Sequence, residues 1–379
     1  KIGHGIKVKK NEKIFESQLD INLPESFAVI NKAIKDSIFP GAQLFVSKGE
    51  NVLINKNFGN HTYGKNSKIV SDKSIYDVAS LTKVLVTTPA IMKLYQMKRI
   101  GLDFSLNQFY SKYDLGDKKD ITIRQLLLHT SGLDSYYEFY KMDNIKDRES
   151  MIDYILSKPL VYKPKTKMVY SDLGMILLLD MIEKSYGSRL DKFTYRKFYR
   201  PLGMKKTFFN PSNKYIGDIA PTENDDYFRN TLLRGVVHDE NAYLLNGVSG
   251  HAGLFSNAYD IGIFSKMLIN DGVLLGRRYF KKNIISKFTK RMNTPPGSDR
   301  TLGWDTPSQN GKSSAGDYFS SSSYGHLGFT GTSLWIDPEQ DIIVVLLTNR
   351  IHPTRDKKGM YKIRRDFHNE LMKIIGDNN

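Results

Sequence analysis

The chain has 379 residues, 40% of them hydrophobic, with 22 Tyr and 20 Phe. That is enough to bury a sizeable core and too aromatic for a disordered binder. The absence of cysteine excludes disulfides, thiolate nucleophiles and cysteine-ligated metals, and no apolar run is long enough to span a bilayer. The formal charge of +16 is spread along the chain, with short clusters such as Lys7-Val8-Lys9-Lys10 and Arg277-Arg278. Without a DNA or RNA recognition motif beside it, that charge reads as solvated surface with some attraction for acidic partners, and no nucleic-acid partner is expected.

Residues 1–23 are polar and lysine-rich and read as an arm or linker. A short helix is expected at about 25–37. Ala42 to Val46 and Val52 to Phe58 follow, joined by Lys48-Gly49-Glu50-Asn51, and read as a β-hairpin. A helix from about Ser80 to Met97 comes next, with Pro89 expected to kink it. From there to about 290 the pattern is mainly helical with long loops, as at Ile123 to Leu128, Leu173 to Tyr186 and Ile261 to Asn270. Strands return at about 324–329, 332–337 and 341–348, with Pro338-Glu339-Gln340-Asp341 as the turn between the last two. A helix near 359–375 ends the pattern. This predicts an α+β fold in which both chain ends supply one antiparallel sheet flanked by helices, with a mainly helical region inserted between them.

The most informative stretch is Ser80-Leu81-Thr82-Lys83. Three residues apart at the start of a helix, the two polar side chains share a face. The amine can take the hydroxyl proton if its surroundings lower its pKa. A serine in the first helical turn also has free backbone N–H groups and the positive dipole end beside it, which favour a developing oxyanion. By itself S-x-x-K is a weak signal.

Two further segments give it meaning: Val169-Tyr170-Ser171-Asp172-Leu173-Gly174, and Gly325-His326-Leu327-Gly328-Phe329-Thr330-Gly331-Thr332 ahead of a strand-like run. S-x-x-K, then Tyr-Ser-Asp, then His-x-Gly in that order resembles the serine β-lactamase and penicillin-binding-protein superfamily. The tyrosine opening the second motif makes the chain most similar to the class C β-lactamase, D-amino-peptidase and esterase branch. Leu127-Leu128-His129-Thr130-Ser131-Gly132-Leu133 and Ser249-Gly250-His251-Ala252-Gly253-Leu254-Phe255-Ser256 support it. The resemblance covers about residues 24–375. It implies one catalytic domain there, with 24–80 and 291–375 forming the sheet region and 81–290 the helical region.

The resemblance implies that Ser80 is the nucleophile of an acyl-enzyme, that Lys83 accepts or relays its proton, and that Tyr170 is the partner base or acid. It also implies an oxyanion hole made by the N–H groups of Ser80 and Phe329, with Gly328 and Gly331 allowing close backbone approach. Asp172 departs from the asparagine common in relatives. An ionised aspartate accepts only, so it is expected either to pair with Lys83 or to receive a substrate N–H. His326 and Leu327 replace the usual lysine and hydroxyl residue of the third motif, leaving a histidine that is fully charged only at lower pH. His251, between glycines, is a candidate for the cleft lining; His129 is expected to hold the Ser131-Gly132 turn. His238-Asp239-Glu240-Asn241 is expected to fix a loop, there being no matching ligand cluster.

No metal or cofactor is expected. The resemblance extends to hydrolases of cell-wall turnover, some of which cut between N-acetylmuramic acid and L-alanine and some of which are fused behind a family 3 β-N-acetylglucosaminidase. A D,D-carboxypeptidase, a promiscuous esterase, a weak β-lactamase and a non-enzymatic penicillin-binding sensor are the alternatives. A peptidoglycan-fragment substrate and a periplasmic or cell-envelope location follow from the same resemblance. The start at Lys1 fits a processed form or a fragment of such a fusion, so the missing leader says nothing about export. Oligomeric state stays open.

Overall fold

The computed structural model describes residues 13–309, 311 and 313–376. At its centre is a six-stranded sheet drawn from both ends of the chain. The first end supplies β1 (Ser17–Gln18), β2 (Gly41–Lys48) and β3 (Asn51–Gly59), and the second supplies β4 (Tyr324–Leu327), β5 (Ser333–Asp337) and β6 (Ile342–Thr348). The order across the sheet is β1-β3-β2-β6-β5-β4. Every pair is antiparallel except β1 with β3. The β2–β3 hairpin turns through Gly49 at φ 56°, and the β5–β6 turn through Asp341 at φ 51°, a left-handed conformation that glycine and aspartate tolerate better than most.

Period-two alternation sorts the strand residues onto two faces. Leu44, Val46, Ile54, Trp335, Val344 and Leu346 pack against α1 (Pro24–Lys35) and the terminal helix. Phe45, Leu334, Ile336, Ile343, Val345 and Leu347 point the other way, into the core shared with the helical region. That region holds α2 (Thr88–Gln96), α3 (Asp172–Tyr186) and α4 (Ala258–Ile269); α5 (Met360–Ile375) closes the fold. A small sheet of Tyr76–Asp77, Leu254–Ser256 and Phe208–Phe209 ties the segment before Ser80 to the middle of the chain.

Two expectations change. Residues 1–12 lie outside the described residues, but from residue 13 the expected arm is part of the fold. Phe15 is buried against Phe45 and Tyr259, with ring centroids 5.5 and 6.3 Å apart. Ser17 and Gln18 pair with Asn51 and Val52. The apolar Phe15 and Leu23, diluted among charged neighbours, carry the contact. At Pro89 the expected helix runs on but is not regular. Residues 81–96 keep helical backbone, and a π-helical turn at Lys83–Thr87 directly precedes the proline, a widened turn that accommodates its missing N–H.

Helix α4 lies on the sheet through Gly262, where a Cβ would run into the Phe45 ring. Gly262→Leu should therefore destabilise the fold by about 1–3 kcal/mol through overpacking. Urea unfolding measures this, and a stability equal to wild type would show that helix and sheet are not pressed together there.

Candidate active site

Ser80 is delivered by a strained turn. The buried carboxylate of Asp77 accepts the amides of Ala79 and His238, both at 2.8 Å, and holds Ala79 at φ 48°. Ser80 follows, its carbonyl accepting the amide of Lys83 at 3.0 Å. One turn on, Lys83 is fully buried. Its Nζ lies 3.0 Å from Ser80 Oγ, 3.1 Å from the His251 carbonyl and 2.7 Å from Asp172 Oδ1. The Tyr170 ring centroid is 4.8 Å away, and the Tyr170 hydroxyl interacts with both Lys83 and Ser80.

The second motif is held from behind. Ser171 caps α3, its Oγ accepting the amide of Gly174 and donating to the Asp134 carbonyl at 2.6 Å. Its own amide donates to His129 Nδ1 at 3.0 Å, which makes that nitrogen an acceptor. The His129 carbonyl takes the Val169 amide, and its ring lies 4.6 Å from that of Tyr170. His129 is structural, as expected, but what it braces is the Tyr170 segment.

The third motif closes on the Ser80 turn through hydroxyls. Thr330 Oγ1 donates to the Asp77 carbonyl at 2.8 Å and Thr332 Oγ1 to the Val78 carbonyl at 3.1 Å. A Cβ on Gly328 would strike Thr332 Oγ1 and the Val78 carbonyl, so only glycine lets β4 come this close. Gly331 donates to the Gly328 carbonyl at 3.0 Å, closing a turn with Phe329 second. Among the described residues the amides of Ser80 and Phe329 donate to no protein group, leaving both free for a ligand oxygen.

The charge state differs from the sequence expectation. Burial pulls the Lys83 amine down, but Asp172 and Tyr170 outweigh it, and the net shift is upward. Lys83 is therefore an ammonium at neutral pH, not the lowered amine that S-x-x-K suggested. Burial also pushes the Tyr170 phenol up, against the opposing pull of Lys83. His326 is neutral; burial lowers it to about 4. Its Nδ1 lies 2.7 Å from the Leu327 carbonyl, so Nδ1 carries the proton and Nε2 the lone pair.

Two residues expected to touch substrate are engaged with other side chains. Asp172 is committed to Lys83, the first of its two expected roles. His251 is 1% exposed and bonds Asp239 at 2.7 Å and Ser249 at 2.7 Å. Burial opposes its charge, but Asp239 and Asp172 outweigh burial and raise its pKa, while His251 holds Asp239 low. Asp172, Asp239 and His251 bring ligand atoms within 4.8 Å of one another. Each carboxylate already faces a cationic partner, Lys83 or His251. The His238–Asn241 segment fixes loops, as expected: Asp239 caps the next helix, Glu240 pairs with Arg355, and Asn241 donates to the Tyr137 carbonyl.

Ser80, Tyr170, His326, Gly328 and Phe329 line one cleft of about 590 Å³. Five cationic residues join them: Arg300, Arg350, Lys357, Lys358 and Arg364, with Asp305 the sole acid. The family profile named Beta-lactamase matches residues 28–368. The chain belongs to the Beta-lactamase family.

Membership makes it a serine hydrolase of the β-lactamase and penicillin-binding-protein superfamily. It is 33% identical over 350 residues to the N-acetylmuramyl-L-alanine amidase of Bacillus subtilis, covering 83% of this chain and 78% of that protein. It is 32% identical over 356 residues to a Salmonella gallinarum protein named as a D-alanyl-D-alanine carboxypeptidase, covering 84% and 80%. The octameric penicillin-binding protein homologue of Pyrococcus abyssi shares the fold at TM-score 0.73 and 22% identity, over 94% of this chain and 78% of that one. No described helix is long and apolar enough to cross a membrane.

Sequence reasoning missed the cleft cations. Each stands outside the three motifs of this β-lactamase-family chain, amid unremarked basic residues, and only folding gathers them.

The buried neutral histidines predict acid lability. His326 and His368 are both lowered to about 4, burial being the largest cause. Unfolded, each binds a proton below about 6.5. The unfolded state therefore holds more protons between about pH 6.5 and 4, and stability falls as pH falls. At pH 4 each costs on the order of 3 kcal/mol. The melting temperature of His368→Gln should decline less steeply over that window than wild type; parallel declines would clear His368 of any part.

Proposed function

We propose that Ser80 is the nucleophile of an amidase that acts on acidic peptidoglycan fragments, cutting between a sugar-borne acyl group and the first amino acid of the attached peptide. The observation that carries this reading is the burial of Lys83 between Ser80 Oγ at 3.0 Å and Asp172 at 2.7 Å. The relationship to the Bacillus subtilis amidase supports the substrate class, and so does a cleft with five cationic residues and one acid.

The proton route follows from the charge states. Lys83 is an ammonium and Tyr170 a neutral phenol, so neither can take the Ser80 proton as it stands. Lys83 becomes a base when it hands one proton to Asp172 while taking another from Ser80. Ser80 Oγ then bonds to the carbonyl carbon, and the oxyanion is held by the free amides of Ser80 and Phe329. On collapse the C–N bond breaks, and the amine leaves with a proton passed through Tyr170 from the Lys83–Asp172 pair. Water, deprotonated by the same groups, releases the acid and regenerates Ser80. A neutral His326 carries no charge for the carboxylate of a β-lactam, and Asp172, turned to Lys83, offers no amide donor. Slow cephalosporin turnover is the consequence.

The second reading is a D-alanyl-D-alanine carboxypeptidase, favoured by the Salmonella relative. Cell-envelope location and an adjoining glycosidase unit belong to both readings as proposals. Mass analysis of a digested muropeptide panel separates them. Release of an intact peptide from the sugar supports the amidase, and loss of a single terminal D-alanine supports the carboxypeptidase.

Ser80→Ala should abolish the covalent adduct seen by intact mass after mixing with an activated ester. Its stability cost is at most about 1 kcal/mol, that of a lost cap. Lys83→Met should be nearly as inactive, and Tyr170→Phe slower by roughly a hundred- to ten-thousandfold. Near-normal turnover in Ser80→Ala would remove the nucleophile assignment.

A further inference from the structure

Arg364, on α5, is 8% exposed. Its Nη2 donates to the carbonyls of Gly328 at 2.7 Å and Thr332 at 2.8 Å. Its Nε is buried without a partner, and among the described residues no carboxylate pairs with it. Burial, with the nearby Arg350 charge adding to it, pulls the guanidinium down to about 9. A buried cation without a counter-ion is expensive, and a neutral donor could tie two carbonyls at less cost. The charge itself therefore needs a reason.

The Gly328 carbonyl supplies one. Gly328 C=O and Phe329 N–H are the two ends of a single peptide unit. A cation donating to the oxygen draws electron density along that unit and makes the N–H a stronger donor. The same bond fixes the plane of the peptide, hence the direction of the N–H. Phe329 stands second in the turn closed by Gly331 N–H to Gly328 C=O, one of the two central positions whose amides the turn does not use. The following peptide is held likewise, Arg350 Nε donating to the Phe329 carbonyl at 2.8 Å with its guanidinium 4.6 Å from the ring centroid.

We infer that Arg364 is a positioning residue for the oxyanion site, aiming and polarising the Gly328–Phe329 peptide through its carbonyl so that the free Phe329 amide stabilises charge on the substrate oxygen. This rests on the reading of the Ser80 and Phe329 amides as the oxyanion donors. Arg364 touches no substrate atom in this role. Removing an oxyanion donor outright costs about a hundred- to thousandfold in rate, so weakening one from behind should cost roughly ten- to a hundredfold.

The test uses the full chain and an aryl ester labelled with ¹³C at its carbonyl, comparing wild type, Arg364→Gln and Arg364→Lys. Acylation rates come from release of the phenol, and the acyl-enzyme carbonyl stretch from infrared difference spectra after rapid mixing. Arg364→Gln keeps a donor and loses the charge. It should acylate roughly ten- to a hundredfold more slowly with KM changed less than about threefold, and its acyl carbonyl should absorb at higher wavenumber. Arg364→Lys should recover part of both. A merely structural tie would lower the melting temperature and leave the stretch where it was, and that result overturns the inference. Should Arg364→Gln not fold, Arg364→Lys decides: an ammonium reaching one carbonyl instead of two still raises the stretch, and an unmoved stretch refutes the role. Wild type showing no adduct at Ser80 would instead sink the underlying reading. An adduct whose stretch is the same in all three proteins sinks only the part assigned to Arg364.

Discussion

Lys83 carries a charge to a place from which solvent is excluded, and the ion pair with Asp172 at 2.7 Å makes this tolerable. A buried ammonium alone would cost several kcal/mol and would shed its proton instead. The ion pair keeps the proton in place, and three other features of the centre follow from it. Tyr170 stays protonated, burial pushing its phenol up while Asp172 offsets part of the opposing pull of Lys83. Asp172 turns one oxygen to Lys83. His251 lends its carbonyl to Lys83 and its ring to Asp239, so a second ion pair stands behind the first.

The geometry of the centre depends on segments far apart in the chain. Asp77 holds the turn before Ser80, and Thr330 and Thr332 bind the backbone of Asp77 and Val78 from more than 250 residues away. Gly328 makes that approach possible. The free amides of Ser80 and Phe329 thus come from two elements locked to one another, which under the proposed oxyanion role preorganises both donors.

Around this rigid centre the cleft is unusually basic. Arg300 is paired with Asp305 and lies over Tyr170, while Arg350 and Arg364 hold backbone carbonyls of the β4–β5 turn. Lys357 and Lys358 sit at its rim. Cations that brace the turn and cations at the rim therefore belong to one patch, and the overall charge of +16 extends its attraction for acids beyond the cleft.

Much of this was legible in the sequence. Short apolar runs bounded by turn residues marked β2, β3, β5 and β6 to within a residue or two, and their placement at both chain ends pointed to the α+β sheet. The motifs around Ser80, Tyr170 and His326 pointed to residues that meet in one cleft, because spacing along a helix and order along a chain survive folding. Protonation did not survive in that way. Whether Lys83 is an amine or an ammonium depends on the carboxylate that folding brings against it, 89 residues downstream, and on the water folding removes. The same holds for His251, which glycine neighbours made look accessible and the Asp239 pair buries, and for Phe15, whose partners Phe45 and Tyr259 come from distant parts of the chain. By itself the sequence determined which elements form and which residue types carry the chemistry, since these rest on local periodicity and side-chain identity. Only the tertiary structure decided charge states, the direction Asp172 faces and the gathering of the arginines, since electrostatic energy depends on distance and burial rather than on position along the chain.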